Sequence, residues 1–417
     1  MSVIVKSVDF FAPGVAVALS QSDELSVNTG VLVASTGVDT PLDQDYGVYT
    51  DVTQNLIINA GGIVAATANA VELDLGSDLA TISNEPGAFI SGHGNGILAD
   101  SGGDRVDNQG GIFGLIDDGI VFAFASHDIR LTNYGLVAGS LTGVVVESQS
   151  GGGAIIDNFG SISGSTLDGI NILTASSVVT HVTNAAGATI TGPQDAIFVA
   201  TGGLALTNAG TLNGGVDCTN GSATGTITNT GTINGTVTLD GPVDLFNGRN
   251  GTSADIVTGP GHDTVLVGKG NTTVHIDDAG SSALTAGRGP DTFFFDDGLG
   301  GGNVVIHHFN PLIDRIELSE KFFPGLGPVG KLHAGHFGID GNVHNTDPQI
   351  VYNDHTGLLY YDSNGDLPGG RADFAKLAPH PALTKIVFVK VFDTDSITSD
   401  GVSPSNLHFD ANPFLLV

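Results

Sequence analysis

The chain is poor in several things at once. It has one cysteine (Cys218), one methionine and no tryptophan. A single cysteine excludes a disulfide framework and a cysteine-based zinc site. Basic residues are scarce: 13 Lys and Arg stand against 44 Asp and Glu, a formal net charge of −31. So acidic a chain lacks the basic face that phosphate contacts require, which excludes nucleic acid as a partner. No run of about 18 apolar residues occurs, so no transmembrane segment is expected. At the N-terminus Lys6 is followed by Asp9, and the apolar stretch that begins at Phe10 is broken by Pro13 and Gly14. That makes a poor secretory signal.

What is present is glycine, small polar residues and aliphatic residues. Glycine numbers 62 of 417, about twice the usual share of roughly 7%. It has no G-x-y period, which excludes collagen. Hydrophobic residues make up 40%, enough for a core and too many for simple disorder. The length gives a prior of two to three domains. Only Lys6, Arg105 and Arg130 are basic before Arg249, and the other ten basic residues follow from there. This shift in composition marks a domain boundary near residue 245.

The first 240 residues repeat. IINAGG, ISNEPG, VDNQGG, LTNYG, IDNFG, VTNAAG, LTNAG and ITNTG share Asn59, Asn84, Asn108, Asn133, Asn158, Asn184, Asn208 and Asn229. The steps are 25, 24, 25, 25, 26, 24 and 21 residues. A second landmark, an aliphatic residue after a small or polar pair, falls at Val71, Ile97, Ile120, Val144, Ile170 and Ile197. Two landmarks in phase over six units define a repeat. The units hold short Val/Ile/Thr runs between Gly, Asn, Asp and Ser, with no sustained 3.6-residue period, so they read as strands and turns. A 25-residue unit of two or three strands predicts one coil of a parallel β-helix. The asparagines then form a turn ladder along one edge, satisfying backbone groups at a tight corner. The x-T-N-x-G-x-I-x-G style of residues 50–240 resembles the passenger repeats of bacterial surface adhesins and autotransporters.

From about residue 246 the period changes. TGPGHDTVL (258–266), VGKGNTTVH (267–275), IDDAGSSAL (276–284) and AGRGPDTFF (286–294) follow the nonapeptide G-G-x-G-x-D-x-U-x with increasing and decreasing fidelity, and NGTSADIVT (250–258) is an earlier partial row. They resemble the RTX, or hemolysin-type, calcium-binding repeats. The resemblance implies a β-roll in which glycine-rich turns alternate with short strands. It implies calcium held by aspartate carboxylates and turn carbonyls at Asp255, Gly259, Gly261, Asp263, Gly268, Gly270, Gly287, Gly289 and Asp291. Read by themselves, the glycines only turn the chain. Pairing rows two apart sets Asp255 against Thr272, Asp263 against Ser281 and Thr272 against Asp291. No pair carries Asp on both sides, so one or two weak calcium sites are expected.

VVIHHFNPLIDRIELS (304–319), IVYNDHTGLLYYDSNGDLPGGRADFAKL (350–377) and HPALT (380–384) resemble the C-terminal module of type I secretion substrates. A hairpin is expected there, with its turn at His355–Gly357. The chain ends FDANPFLLV, an acidic residue before an apolar cluster. This resembles an uncleaved C-terminal export signal.

Other chemistry is thinner. The pairs His307–His308 and His333/His336 lack an H-E-x-x-H motif, and a surface loop is the simpler reading. Asp362, Asn364 and Asp366 form a D-x-N-x-D turn, but Leu367 stands where a calcium loop of the EF-hand type has glycine. Parallel β-helices also carry polysaccharide lyases and epimerases, which need a cation and a base in one groove. Arg105 and Arg130 lie one coil apart in phase, with Asp104, Asp107, Asp117 and Asp118 nearby in sequence. An acidic coil, however, repels an acidic polymer.

The sequence therefore predicts an all-β protein in five parts. These are an N-terminal cap (1–50), a parallel β-helix of about 25-residue coils (51–245), a short RTX-like β-roll (246–300), a β-rich type I secretion module (301–395) and an export tail (396–417). The expected function is that of a secreted, calcium-binding structural or adhesive surface protein of a bacterium, and not of an enzyme. Its location is extracellular or on the cell surface. Its expected partners are the type I secretion machinery and cell-surface polysaccharide. The alternative is a carbohydrate-active β-helix enzyme, a lyase or epimerase.

Overall fold

A computed structural model describes residues 2–37, 45–74, 78–100, 102–123, 128–148, 152–219, 224–276, 280–296, 298–299, 304–340 and 345–392. The described residues are strands, turns and two short 3-10 turns, with no α-helix among them. One coil shows the plan. Ile129–Asn133 runs along one sheet, the chain turns at Tyr134–Gly135, and Leu136–Gly139 and then Val144–Ser148 run along a second sheet. The next coil repeats this with Ala154–Asn158, Ser161–Gly164 and Ile170–Thr174. Every strand pairs in parallel with its counterpart one coil away. The fold is a parallel β-helix.

The register follows the sequence landmarks. Asn84 pairs with Asn108, Asn108 with Asn133 and Asn133 with Asn158. The aliphatic landmarks also align, Ile97 with Val71 and Ile120, and Val144 with Ile120 and Ile170. Alternation explains why. In Leu131-Thr132-Asn133 the first and third side chains face inward and the second outward, so a one-residue slip would turn the core out to solvent. The inward columns are nearly all aliphatic, such as Val106, Leu131 and Ile156, or Ile112, Val137 and Ile162, all fully buried. Each contributes about 1.5–3 kcal/mol by leaving water.

At the corner, eight buried asparagines form one continuous ladder. Nδ2 of each donates to Oδ1 of the next, from Asn59 through Asn84, Asn108, Asn133, Asn158, Asn184 and Asn208 to Asn229, at 2.7–2.9 Å. A side-chain amide carries donor and acceptor together, so it can link to both neighbours and still serve the backbone. The amide of Asn133 also donates to the carbonyl of Ser161.

Residues 3–50 lie on the same registers. Val3–Lys6 and Phe10–Ala12 pair with Glu24–Val27 and Leu32–Ser35, which pair with the strands of the following coil. The transition near 245 is equally continuous. In Thr189–Thr201 the second and third strands of the coil merge into one, with register shifts, and the coil shortens afterwards. The first sheet passes unbroken through Thr226–Asn229, Leu245–Asn247, Thr264–Leu266, Ala283–Thr285 and Val305–His307. The second passes through Thr252–Thr258, Thr273–Ile276, Thr292–Phe295 and Arg315–Ser319.

The C-terminal residues close this end of the solenoid. Arg371–Ala378 adds in parallel to Val305–His307, and Phe388–Val391 adds in parallel to Arg315–Ser319. Their outer edges are then taken up by antiparallel partners, Leu358–Asp362 and Gly330–Lys331. Gln349–Tyr352 and Leu358–Asp362 form the expected hairpin. Its turn is held by Asn353, whose Oδ1 accepts the His355 and Thr356 N–H groups, and by Gly357 at φ +78°. Phe295, Phe374, Phe323 and Tyr361 pack edge-to-face beneath it. The export tail 396–417 lies outside the described residues.

Candidate metal-binding turns

Side-chain oxygens just before the strands of the first sheet form a recurring corner device. The Ser2 N–H donates to Asp23, Asp23 N–H to Asn55, Ala80 N–H to Asp104, Gly225 N–H to Asp244 and Asp244 N–H to Asp263, at 2.5–3.1 Å. Each carboxylate or amide therefore caps a backbone donor of the coil before it. Asp23 and Asp244 also cap their own turns, at the Ser20 and Gly241 N–H groups. Asp263 belongs to this column, so the calcium-type turn is a variant of a corner used from the first coils onward.

The register corrects the pairing expected from the nonapeptide rows. Asp255 pairs with Thr273 and not Thr272, and it sits within Thr252–Thr258 rather than in a turn. Thr264 pairs with Ala283, which sets Asp263 beside Ser282 and not Ser281. Asp263 also has an acidic neighbour, Asp244, 19 residues earlier. Asp291 likewise has Asp314, whose Oδ1 accepts the Asp291 N–H at 2.9 Å across 23 residues. Two sites thus carry aspartate on both sides. Asp244 and Asp314 escaped the sequence reading because coils of 19 and 23 residues fall outside an 18-residue double row. The spacing of Asp244 from Asp263 was the available signal.

The glycines form columns of their own. A Cβ on Gly261 would run into the Gly241 carbonyl oxygen, and one on Gly259 into that of Leu239. On the opposite edge, a Cβ on Gly268 would meet the Gly248 carbonyl, on Gly287 that of Gly268, and on Gly289 that of Gly270. Gly270 has only ordinary contacts with Thr252. Turn carbonyls are therefore directed along the solenoid at the next coil.

Both sequence-predicted turn aspartates keep one oxygen idle. Asp263 is 1% exposed; its Oδ1 accepts from Asp244, while Oδ2 has no hydrogen-bond partner. Asp291, also 1% exposed, accepts the Gly287 N–H at Oδ2, and its Oδ1 has no partner. Burial, then the neighbouring Asp244, pushes the Asp263 carboxyl up to about 7. Burial pushes Asp291 up to about 6, with Asp314 adding to it. A buried, partnerless carboxylate oxygen amid carbonyls fits a hard cation with a flexible oxygen shell, the chemistry of calcium. Zinc fits less well, since no group of three His, Cys, Asp or Glu among the described residues could hold a metal. Asp263 is the stronger site, because the Asp291 edge carries the exposed Arg249, Lys269 and Arg288 at successive turns. A cavity of about 150 Å³ beside Asp291 is lined by Asn271, Thr272, Thr292, Ile313 and Arg315.

No protein-family model, curated protein or solved structure matches the chain. The remaining candidates rest on geometry alone. Arg105 and Arg130 do pair in register, but each is held by a carboxylate, Asp107 at 2.8 Å and Asp157 at 2.5 Å. Asp104 caps Ala80, and Asp117 and Asp118 precede Ile120–Phe122 on the other sheet. These groups are not brought into one groove. His333 and His336 flank a 3-10 turn, with His336 Nδ1 against the Pro348 carbonyl at 2.7 Å. Asp362 Oδ1 accepts the Asn364 N–H. No described helix is long and apolar enough to cross a membrane.

The raised carboxyls set a pH dependence. Asp118 and Asp168 are also pushed to about 6 by burial, and Asp195 to about 7. A carboxyl whose folded pKa exceeds its unfolded value, near 4, binds its proton more tightly when folded. Its stabilisation is full below about pH 4 and is lost as pH rises through 6–7. In EGTA the melting temperature is expected to fall steadily from pH 5 to pH 8. A midpoint that rises over this range contradicts the assignment.

Proposed function

We propose that the protein is a secreted bacterial surface protein, structural or adhesive, whose glycine-turn segment is ordered by calcium outside the cell. The observation that carries this reading is the idle, buried Oδ2 of Asp263 in a turn of stacked carbonyls. Asp263 with Asp244, and Asp291 with Asp314, would hold the ion together with turn carbonyls. The ion would supply the positive charge that these paired carboxylates lack. Calcium is scarce in the cytosol, so the turns would stay loose before export and set afterwards. The rod itself supports a mechanical or presenting role, since two unbroken sheets display regular faces over its length. The RTX-like turns and the C-terminal module support export by the type I machinery, with cell-surface polysaccharide as the natural ligand of such a rod.

Two measurements test this. Deleting Phe414–Val417 is expected to trap the protein in the producing cell with the rod's melting unchanged, whereas normal secretion of the truncated chain contradicts the export route. Immobilised protein is expected to retain bacterial cells in millimolar calcium and release them in EGTA. Failure to retain them in calcium contradicts the adhesive role.

A further inference from the structure

One strip of the solenoid differs from the rest. It consists of the second strands of the coils: Leu32–Ser35, Gly62–Ala65, Phe89–Gly92, Gly111–Gly114, Leu136–Gly139, Ser161–Gly164 and the opening residues of Thr189–Thr201, Thr211–Asp217, Thr232–Leu239 and Thr252–Thr258. These strands are stacked in register. Across residues 32–35, 62–65, 89–92, 111–114, 136–139, 161–164, 189–192, 211–214, 232–235 and 252–254 there is no Asp, Glu, Lys, Arg or His. The chain as a whole carries 44 acidic and 13 basic residues. Ten strands at roughly 4.8 Å make an uncharged strip on the order of 40 Å long.

The strip has two chemistries. Its N-terminal half presents aliphatic and aromatic side chains, with Phe89 39% exposed. Its C-terminal half presents hydroxyls and amides already tied into rows. Asn213 donates to Thr191 at 3.2 Å, Asn234 to Asn213 at 3.0 Å and Thr252 to Thr232 at 3.3 Å. Where the halves meet, at the asparagine corner, Tyr134 and Phe159 stack with centroids 4.7 Å apart and planes within 9°. They stand 59% and 45% exposed, a solvent-facing aromatic pair with no core to fill.

The geometry points to this strip as the docking face for an uncharged polysaccharide chain lying along the rod. The assignment rests on the adhesive reading above and gives it a face and a ligand class. Charge selects the partner. Every anionic polymer is repelled by the −31 field, and a cationic one gains nothing from a strip without carboxylates. A neutral glycan suffers neither penalty. Its C–H faces pack on exposed aromatic rings, and its hydroxyls exchange hydrogen bonds with ordered Thr and Asn side chains. Repetition every coil matches a ligand that is itself a repeat.

The test uses the purified full chain in millimolar calcium, mixed with cellulose, chitin, mannan or dextran, with alginate as the anionic control. At least one neutral glycan is expected to bind, and to keep binding in 1 M sodium chloride, while alginate does not. The double substitution Tyr134→Ala, Phe159→Ala is expected to weaken binding at least tenfold with melting unchanged, because both rings are exposed. A separate variant, Thr211→Glu, is expected to weaken it through charge alone. Several results overturn the assignment: no neutral glycan binds, binding survives the double substitution, or alginate binds equally well. It is also overturned if the wild type self-associates through these rings. Cell retention without glycan binding removes this face and leaves the adhesive reading standing. Glycan binding without cell retention does the reverse.

Discussion

Replacing Asn133 with alanine is expected to lower the unfolding free energy by about 2–4 kcal/mol. Asn133 is fully buried in the middle of the ladder. It receives the Asn108 amide and donates to Asn158 Oδ1 and the Ser161 carbonyl. Truncation strands polar groups in two neighbouring coils, and a buried group left without a partner costs about 1–3 kcal/mol. Asn133→Asp is expected to be worse at neutral pH. A carboxylate keeps the volume but donates nothing, so its oxygens would face two other acceptors. Thr183→Ala, on the outward side of the same sheet, is expected to change stability by no more than about 0.5 kcal/mol. Urea unfolding of the three variants checks the order. An alanine variant as stable as wild type would show that the ladder is decorative and that the aliphatic columns alone set the register.

The second large effect concerns calcium. Binding to the folded state alone adds RT ln(1 + [L]/Kd), about 2.7 kcal/mol at a hundredfold excess over Kd. The double change Asp263→Ala, Asp291→Ala is expected to remove most of the calcium-dependent stabilisation of residues 250–300. It should leave the 50–240 rod nearly unaffected, because solenoid coils contact mainly their neighbours. Asp244→Asn alone is expected to weaken the response, since Asp244 donates its N–H to Asp263 and adds charge beside it. Calorimetry in EGTA and in millimolar calcium reads all three proteins. If wild type melts identically in both, the turns hold no calcium and Asp263 serves only as a corner cap.

The rod was legible in the sequence because a solenoid converts period into register. Once the asparagines keep phase, each strand has only one partner, and Asn108, Asn133 and Asn158 fall along one edge as the spacing requires. The corner column was not legible. It passes through Asp23, Asn55, Ala80, Asp104, Gly225, Asp244 and Asp263, residue types too mixed to show as a motif, and what they share is a backbone donor one coil back. The acidic pairs were hidden by an assumed double row of 18 residues. The closing of the C-terminal end was hidden for a different reason. Arg371–Ala378 meets Val305–His307 some 70 residues earlier, and local patterns carry no trace of a contact that distant. The uncharged strip was in plain view as letters, but only the fold places its ten pieces side by side.

Those distances divide the labour of folding. Along the rod, partner strands lie one coil apart, 24–27 residues from Asn59 to Asn184. Each new coil closes a short loop against a template already in place, and the entropy of closure grows only with the logarithm of loop length. Growth of the rod is therefore zipper-like, with local contacts throughout. The C-terminal module is the opposite case. Lys390 reaches Gly327 across 63 residues, so this end must search for its partners and the rod need not. The step that limits the folding rate belongs to the last hundred residues, however many coils are stacked before them.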